Sequence, residues 1–399
     1  MPPSTTLSPI RPSRPEIQPS PIRSLQLGVG WLPEQSANGL DRVYHALIRH
    51  LPAAGDDVRG LVMGSPSVKT SSDGRVQAVA PDSAPLPARL WALRRTLSGT
   101  LAAAPADVIA AHFALYAAPV LDKVRSRPFV VHFHGPWASE SAVEGEPSWK
   151  VNLKARLERA VYQRADRLIV LSDAFRQVLV ERYDVPEPRI RIVPGGVDVS
   201  EFDTAGSAHD ARVHLGWPTD RPIVLTVRRL VRRVGLDRLI KAMTQVRARV
   251  PEALLLIAGS GPLRDELCAQ IRSLGLEDHV RLLGYVPDAD LPLAYRAADV
   301  SIVPTLALEG FGLVAVESLA AGTPVLVTPV GGLPDVVSGL SPALVLEDGH
   351  PDTLAAALSD AFLHPTRLPS ATDCRDYATT HFDWPVIAEQ VRAVYDDLL

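Results

Sequence analysis

Short aliphatic runs alternate with longer stretches of helical period along most of this chain, and the alternation stops once and then restarts. Runs of strand length separated by crossover-length helical segments require a parallel sheet with helices packed on its faces. In the first half the strand candidates are 25–30, 58–62, 76–80, 108–111, 129–133, 168–171 and 190–193. Glycines, short polar residues and Pro218 then interrupt the pattern, so 195–220 reads as a linker after a first domain of 25–194. The second domain, 221–383, has strand candidates at 223–227, 254–258, 280–283, 300–303, 324–327 and 343–345, with helices such as 235–249 and 262–274. The expected fold is two Rossmann-like α/β domains facing across a cleft, with ligands bound beyond the carboxyl ends of the strands. The last segment, 384–399, has an apolar helical face and no strand after it, which makes it a candidate to cross back onto the first domain.

Composition narrows the function. With 399 residues, 46% of them hydrophobic, the chain can bury two ordinary cores. A net charge of -4 and a pI near 6.3 exert no general pull on nucleic acid. The two cysteines, Cys268 and Cys374, have no metal-like spacing and point to a reducing, cytoplasmic compartment. Residues 1–24 form a proline-rich tail expected to be disordered. The longest apolar stretch, 101–121, carries Pro105, Asp107, His112 and Pro119, which argue against a membrane span. The segments 86–101 and 150–167 have the basic bias of helices that touch anionic membranes, and an ordinary half-buried surface helix fits them equally well.

The chemistry concentrates in Glu309-Gly-Phe-Gly-Leu-Val-Ala-Val-Glu317, which follows a buried strand and opens a helix. Gly310 and Gly312 permit close backbone approach, and the N–H groups of Gly312, Leu313 and Val314 suit a diphosphate. Glu309 and Glu317 flank that site, placed to accept hydrogen bonds from hydroxyls at the two ends of a nucleotide sugar. The plainer alternative is an acidic helix start plus an exposed glutamate.

Four arginines in Thr226-Val-Arg-Arg-Leu-Val-Arg-Arg-Val-Gly235 follow the second domain's first strand, where guanidinium groups would hold phosphate and leaving-group charge. Gly259-Ser-Gly261 is a second strand-to-helix turn, and Gly284-Tyr285-Val286 ends a strand where its backbone would meet a base edge. Asp288-Ala-Asp290 has a metal-binding form but sits before a helix, so capping is the preferred reading and no metal site is expected. Gly28-Val-Gly30 lacks the third glycine of a dinucleotide fingerprint, and no phosphate-loop kinase sequence is present. His134, in Val131-His-Phe-His-Gly135, ends a first-domain strand, and His132 is placed beneath it on the same sheet face.

These segments together resemble the retaining glycosyltransferases of family 4, which have the GT-B fold. The likeness runs from about Leu25 and is most specific from Ala165 to Val337. It rests on Ala165-Asp-Arg-Leu-Ile-Val-Leu-Ser172, Val193-Pro-Gly-Gly-Val-Asp198, the arginine loop, the E-x7-E pair, Ala321-Gly-Thr-Pro-Val325 and Gly331-Gly332. The resemblance implies that Glu309 contacts donor-sugar hydroxyls, Glu317 the ribose, and Gly312, Leu313 and Val314 the diphosphate. It also implies that Arg229 binds phosphate and that His134 positions the sugar and acceptor.

Two positions depart from the family pattern. Val234 stands where a lysine is usual, leaving Arg233 or Arg232 to supply the cation, and the first glycine loop reads Asn38-Gly39 in place of Gly-Gly. The activity implied is metal-independent transfer of a hexosyl unit, with retention, and without a cofactor. The donor is a nucleoside diphosphate sugar, with UDP the favoured nucleotide, and the acceptor is a saccharide, a lipid-linked molecule or a small molecule. Alternatives are a nucleotide-sugar 2-epimerase of the same fold and a non-catalytic nucleotide-sugar-binding protein.

Overall fold

The computed structural model describes residues 21–32, 39–143, 145–204 and 206–399. Seven strands make the first sheet: β1 (Ile22–Leu27), β2 (Asp56–Met63), β3 (Val76–Ala80), β4 (Val108–Ala111), β5 (Phe129–Phe133), β6 (Arg167–Val170) and β7 (Ile190–Ile192). The second sheet holds β8 (Ile223–Val227), β9 (Leu254–Ala258), β10 (Val280–Gly284), β11 (Val300–Val303) and β12 (Val325–Val327). Strand orders are β3-β2-β1-β4-β5-β6-β7 and β10-β9-β8-β11-β12, and all pairs are parallel. Helices cover both faces, so strands such as β9 and β4 are buried along their whole length and read as unbroken aliphatic runs.

Each order reverses once, between β1 and β4 in the first sheet and between β8 and β11 in the second. In such sheets the crevice beyond the strands' carboxyl ends at the reversal is where ligands bind. The loops leaving β4, β5, β8 and β11 carry His112, His134, the arginines and Glu309, and they meet in one interdomain cleft.

Three expectations about boundaries are corrected. Ile22, Arg23 and Ser24 belong to β1 and not to the tail, because they pair with β2; residues 1–20 lie outside the described residues. The segment 195–220 is not a linker throughout. Ser207 and Asp210 form a reciprocal capping box that starts the helix Ala208–Leu215. From that helix the buried Arg212 reaches the carbonyls of Ala297 and Arg221 and the Asp299 carboxylate, fixing it to the second domain. Residues 343–345 are not a strand: Pro342, without an N–H, opens a short 3-10 turn, and only Val345 bridges to Val327.

The chain crosses between domains twice, and the two crossings are tied together. Val197 N–H donates to the Phe382 carbonyl at 2.8 Å, and Trp384 N–H to the Val197 carbonyl at 3.2 Å. The Asp383 carboxylate then caps the helix Trp384–Asp396. Trp384, Ile387, Ala388, Val391 and Tyr395 of that helix are buried in the first domain's core with Ile22, Tyr44 and Leu47.

Among the described residues no helix is long and apolar enough to cross a membrane. The basic helix Leu86–Ala103 buries Leu93 and Leu97. Arg89 donates to the Tyr116 hydroxyl, and Arg94 to the Pro119 carbonyl and Asp122, so these arginines work inside the fold.

Candidate active site

The cleft encloses a cavity of about 850 Å³, of the size that takes a small-molecule ligand. Its second-domain wall is the loop after β11. Leu308 holds a left-handed backbone (φ 57°), rare for a branched residue, and Gly312 another (φ 96°) at the start of the helix Leu313–Ala320. The Glu309 carboxylate pairs with the Arg228 guanidinium and accepts from the Thr305 hydroxyl at 3.1 Å. Both members of the pair are nearly buried, with side chains 9% and 12% exposed. One turn into the helix, Glu317 accepts from the Tyr295 hydroxyl at 3.0 Å. Burial pushes the Glu317 carboxyl up, and nearby Arg42 and the tyrosine hydroxyl oppose that shift.

Gly331 and Gly332 support this loop from behind. A Cβ on Gly331 would lie 1.7 Å from the Glu309 carbonyl, and the residue has φ 60°. The Gly332 N–H donates to that same carbonyl at 3.2 Å. From the first domain, the Ser172 hydroxyl donates to the Gly310 carbonyl at 2.7 Å, and the Phe175 ring fills the space a Gly310 side chain would need.

The four arginines divide their work. Arg228, its side chain nearly buried, clamps Glu309, while its Nε finds no acceptor among the described residues. Arg229 is exposed and lines the cavity. Arg232 turns outward to an exposed ion pair with Glu266. Arg233 faces the cavity and donates to the Leu308 carbonyl at 3.0 Å. Val234 is buried in the second domain's core. Between the two arginines left open for the cation of the missing lysine, the geometry therefore favours Arg233.

On the opposite wall, His134 Nε2 lies 3.2 Å from His112 Nδ1, and His112 Nε2 lies 3.2 Å from Gln26 Oε1. The amide oxygen can only accept, so His112 is protonated on Nε2 and its Nδ1 accepts from His134. That leaves His134 Nδ1 as a hydrogen-bond acceptor. Burial holds His134 neutral, lowering it to about 4, and lowers His132 to about 3 with help from His134. His132 stacks on His112 at 4.3 Å and bonds the Tyr395 hydroxyl at 3.0 Å. It does lie beneath His134, and the crossing-back helix supports it.

Other expected residues are placed differently. Gly39 opens the helix Gly39–His50 at the cavity wall; Asn38 lies outside the described residues. Gly259 lines the cavity, but its form serves packing, because a Cβ there would meet the Arg228 carbonyl at 2.0 Å. Gly261 is not on the cavity wall and packs on the Leu230 backbone in the same way. Tyr285 and Val286 also lie off that wall, and Tyr285 is 71% exposed. The capping reading of the aspartates is corrected: Asp290 stands at a helix start without a side-chain cap bond, and Asp288 instead pairs with Arg42 across the cleft at 2.8 Å. Among the described residues no three His, Cys, Asp or Glu side chains gather as a metal centre.

Tyr295, Arg42 and His112 are site residues that the sequence does not single out, and Arg228, grouped there with the phosphate-holding arginines, instead holds Glu309. A signal existed for two of them. Arg228 continues the strand alternation of buried Thr226. His112 follows β4 as His134 follows β5, and those strands are neighbours.

Comparison with known proteins follows the same division into two domains. Residues 37–201 match the family model described as Glycosyltransferase Family 4, and residues 208–381 match Glycosyl transferases group 1. The chain belongs to the family 4 glycosyltransferases. Within this family, a D-inositol 3-phosphate glycosyltransferase of Mycolicibacterium smegmatis is 38% identical over 255 residues, covering 61% of this chain and 57% of the relative. Mannosylfructose-phosphate synthase of Agrobacterium fabrum is 32% identical over 256 residues, covering 61% of this chain and 56% of the relative. The match thus spans less than two thirds of these relatives' length.

Solved structures share the GT-B fold of this family 4 chain. Sucrose-phosphate synthase from Thermosynechococcus elongatus has a TM-score of 0.78 at 24% identity, covering 94% of this chain and 99% of its own. The Anabaena protein HepE, solved with UDP and glucose, has a TM-score of 0.75 at 20% identity, covering 94% and 100%.

Proposed function

We propose that this glycosyltransferase moves a hexosyl unit from a nucleoside diphosphate sugar to an acceptor hydroxyl, with retention and without a metal ion. The observation that carries the reading is convergence. Glu309, Glu317, Arg229, Arg233 and the helix start at Gly312 line one cavity opposite His134. Arg229, Arg233 and the first N–H groups of the helix would hold the diphosphate and take up charge as the sugar C1–oxygen bond breaks. The acceptor oxygen bonds to C1 on the same face, and its proton passes to the departing phosphate oxygen. Neutral His134 accepts a hydrogen bond from a sugar or acceptor hydroxyl and forms no covalent intermediate. UDP is the favoured nucleotide, a choice supported by the neighbour solved with UDP and glucose. A cytoplasmic location is supported by two unpaired cysteines.

UDP in excess chelator is expected to raise the melting temperature, by about 2.7 kcal/mol of stabilisation at a hundredfold excess over Kd. Stabilisation that needs added Mn²⁺ or Mg²⁺ ends the metal-free reading, and NMR of the product anomer tests retention. Gly331→Ala is expected to lower turnover about a hundredfold by displacing the Glu309 loop, while UDP still stabilises the variant. Wild-type turnover in that variant would contradict the supporting role given to Gly331.

A further inference from the structure

The two halves of the cavity differ in chemistry. The donor half carries Arg229, Arg233, Glu309 and Glu317, whereas the first-domain half presents Phe113, Trp137, Leu171, Phe175 and Val178. The Trp137 ring meets Phe113 edge-on at 5.1 Å. Its face is covered at 4.5 Å by the Lys154 ammonium, whose charge is already taken by Glu146 and the Ser141 hydroxyl.

An anion would seek the start of the helix Trp137–Val143 on this wall, and that position is filled. The buried Glu158 carboxylate accepts from the Trp137 N–H at 2.9 Å, the Ala138 N–H at 3.1 Å and the Tyr183 hydroxyl at 2.9 Å. The charged groups on this half are Arg42, paired with Asp288 of the other domain, Arg182, exposed and bonded to the Ser139 hydroxyl, and Glu140 at the rim.

A second apolar group lies outside the cavity on the neighbouring helices. The helix Ser148–Arg164 packs along the helix Trp137–Val143. Together they leave Val143, Trp149 and Leu153 exposed at 68%, 66% and 60%. Trp149 and Leu153 are four residues apart and share one helix face.

We infer that the acceptor is an alcohol or phenol on an apolar body, bound against Phe113, Trp137 and Val178, and not a sugar phosphate. This rests on the transferase reading, in which the cavity's first-domain half receives the acceptor. An apolar body gains by leaving water against these rings, whereas a phosphate there would lose hydration beside a helix start already filled by Glu158 and an ammonium already paired with Glu146.

Calorimetric titration of the full chain, with and without saturating UDP, tests the inference. The probes are 2-naphthol in water, dioleoylglycerol in phosphatidylcholine vesicles, and fructose 6-phosphate. At least one of the first two is expected to bind about tenfold more tightly than the sugar phosphate, equivalent to ~1.4 kcal/mol. Trp137→Ala and Val178→Asp should each weaken that ligand about tenfold without changing stabilisation by UDP. Tighter binding of fructose 6-phosphate, no binding of either apolar probe, or wild-type affinity in both variants overturns the inference. Absence of UDP stabilisation is a separate failure, which sinks the transferase reading while the titration without nucleotide still judges the pocket.

Discussion

Glu309→Ala is expected to lose about a hundred- to a thousandfold in turnover, because under the proposed function it removes a preorganised contact to the reacting sugar. It should also melt earlier. The carboxylate is the ion-pair partner of Arg228, and neither side chain is more than 12% exposed. Removing one partner of a buried pair leaves an uncompensated charge and costs about 3 to 5 kcal/mol. The double variant Arg228→Met with Glu309→Gln separates the two effects, since it should recover much of the stability and little of the turnover. Steady-state kinetics and thermal unfolding of both proteins check this, and near-wild-type behaviour of Glu309→Ala in either measurement contradicts the assignment.

The second large effect is acid sensitivity that traces to the histidine stack. His134 and His132 fall to about 4 and about 3 through burial, and His112 is lowered well below the usual range. Below pH 6.5 the unfolded chain binds protons at these positions and the folded chain does not. Their contribution is therefore fully present above pH 6.5 and is lost as pH falls towards 4. Each histidine held neutral contributes a slope of about 1.4 kcal/mol per pH unit in that window. Asp56, raised to about 6 by burial, works in the opposite direction and flattens the wild-type profile. His132→Asn isolates the histidine contribution. Its urea-unfolding free energy should fall with acidification less steeply than the wild type's, by about one histidine's slope. An unchanged slope would mean that His132 titrates alike in both states.

The alternating pattern made eleven of the twelve strands readable almost to their ends, because both faces of a parallel sheet are buried and the aliphatic runs are unbroken. β1 was read three residues late because Arg23 and Ser24 look like tail, yet both are held by polar partners, Asp107 and Asp56. The candidate site was legible where a residue type is needed, a glycine at the left-handed Gly312 and carboxylates at Glu309 and Glu317, which all line the cavity. It was illegible where neighbours in a basic run differ only in direction. Nothing in Arg-Arg-Leu-Val-Arg-Arg says that Arg228 clamps Glu309 while Arg232 points at Glu266. Arg42 was hidden for another reason, since its partner Asp288 is on the other domain and far along the chain.

The helix Trp384–Asp396 also constrains the order in which the two domains can finish folding. Tyr395 and Trp384 complete a core that begins at Ile22, so a ribosome must translate the entire second domain before the first can close its own interior. The second sheet, with its strands contiguous in the chain, is free to fold first as a unit. Until then the nascent first domain presents the apolar surface around Tyr44 and Leu47 to whatever is near it.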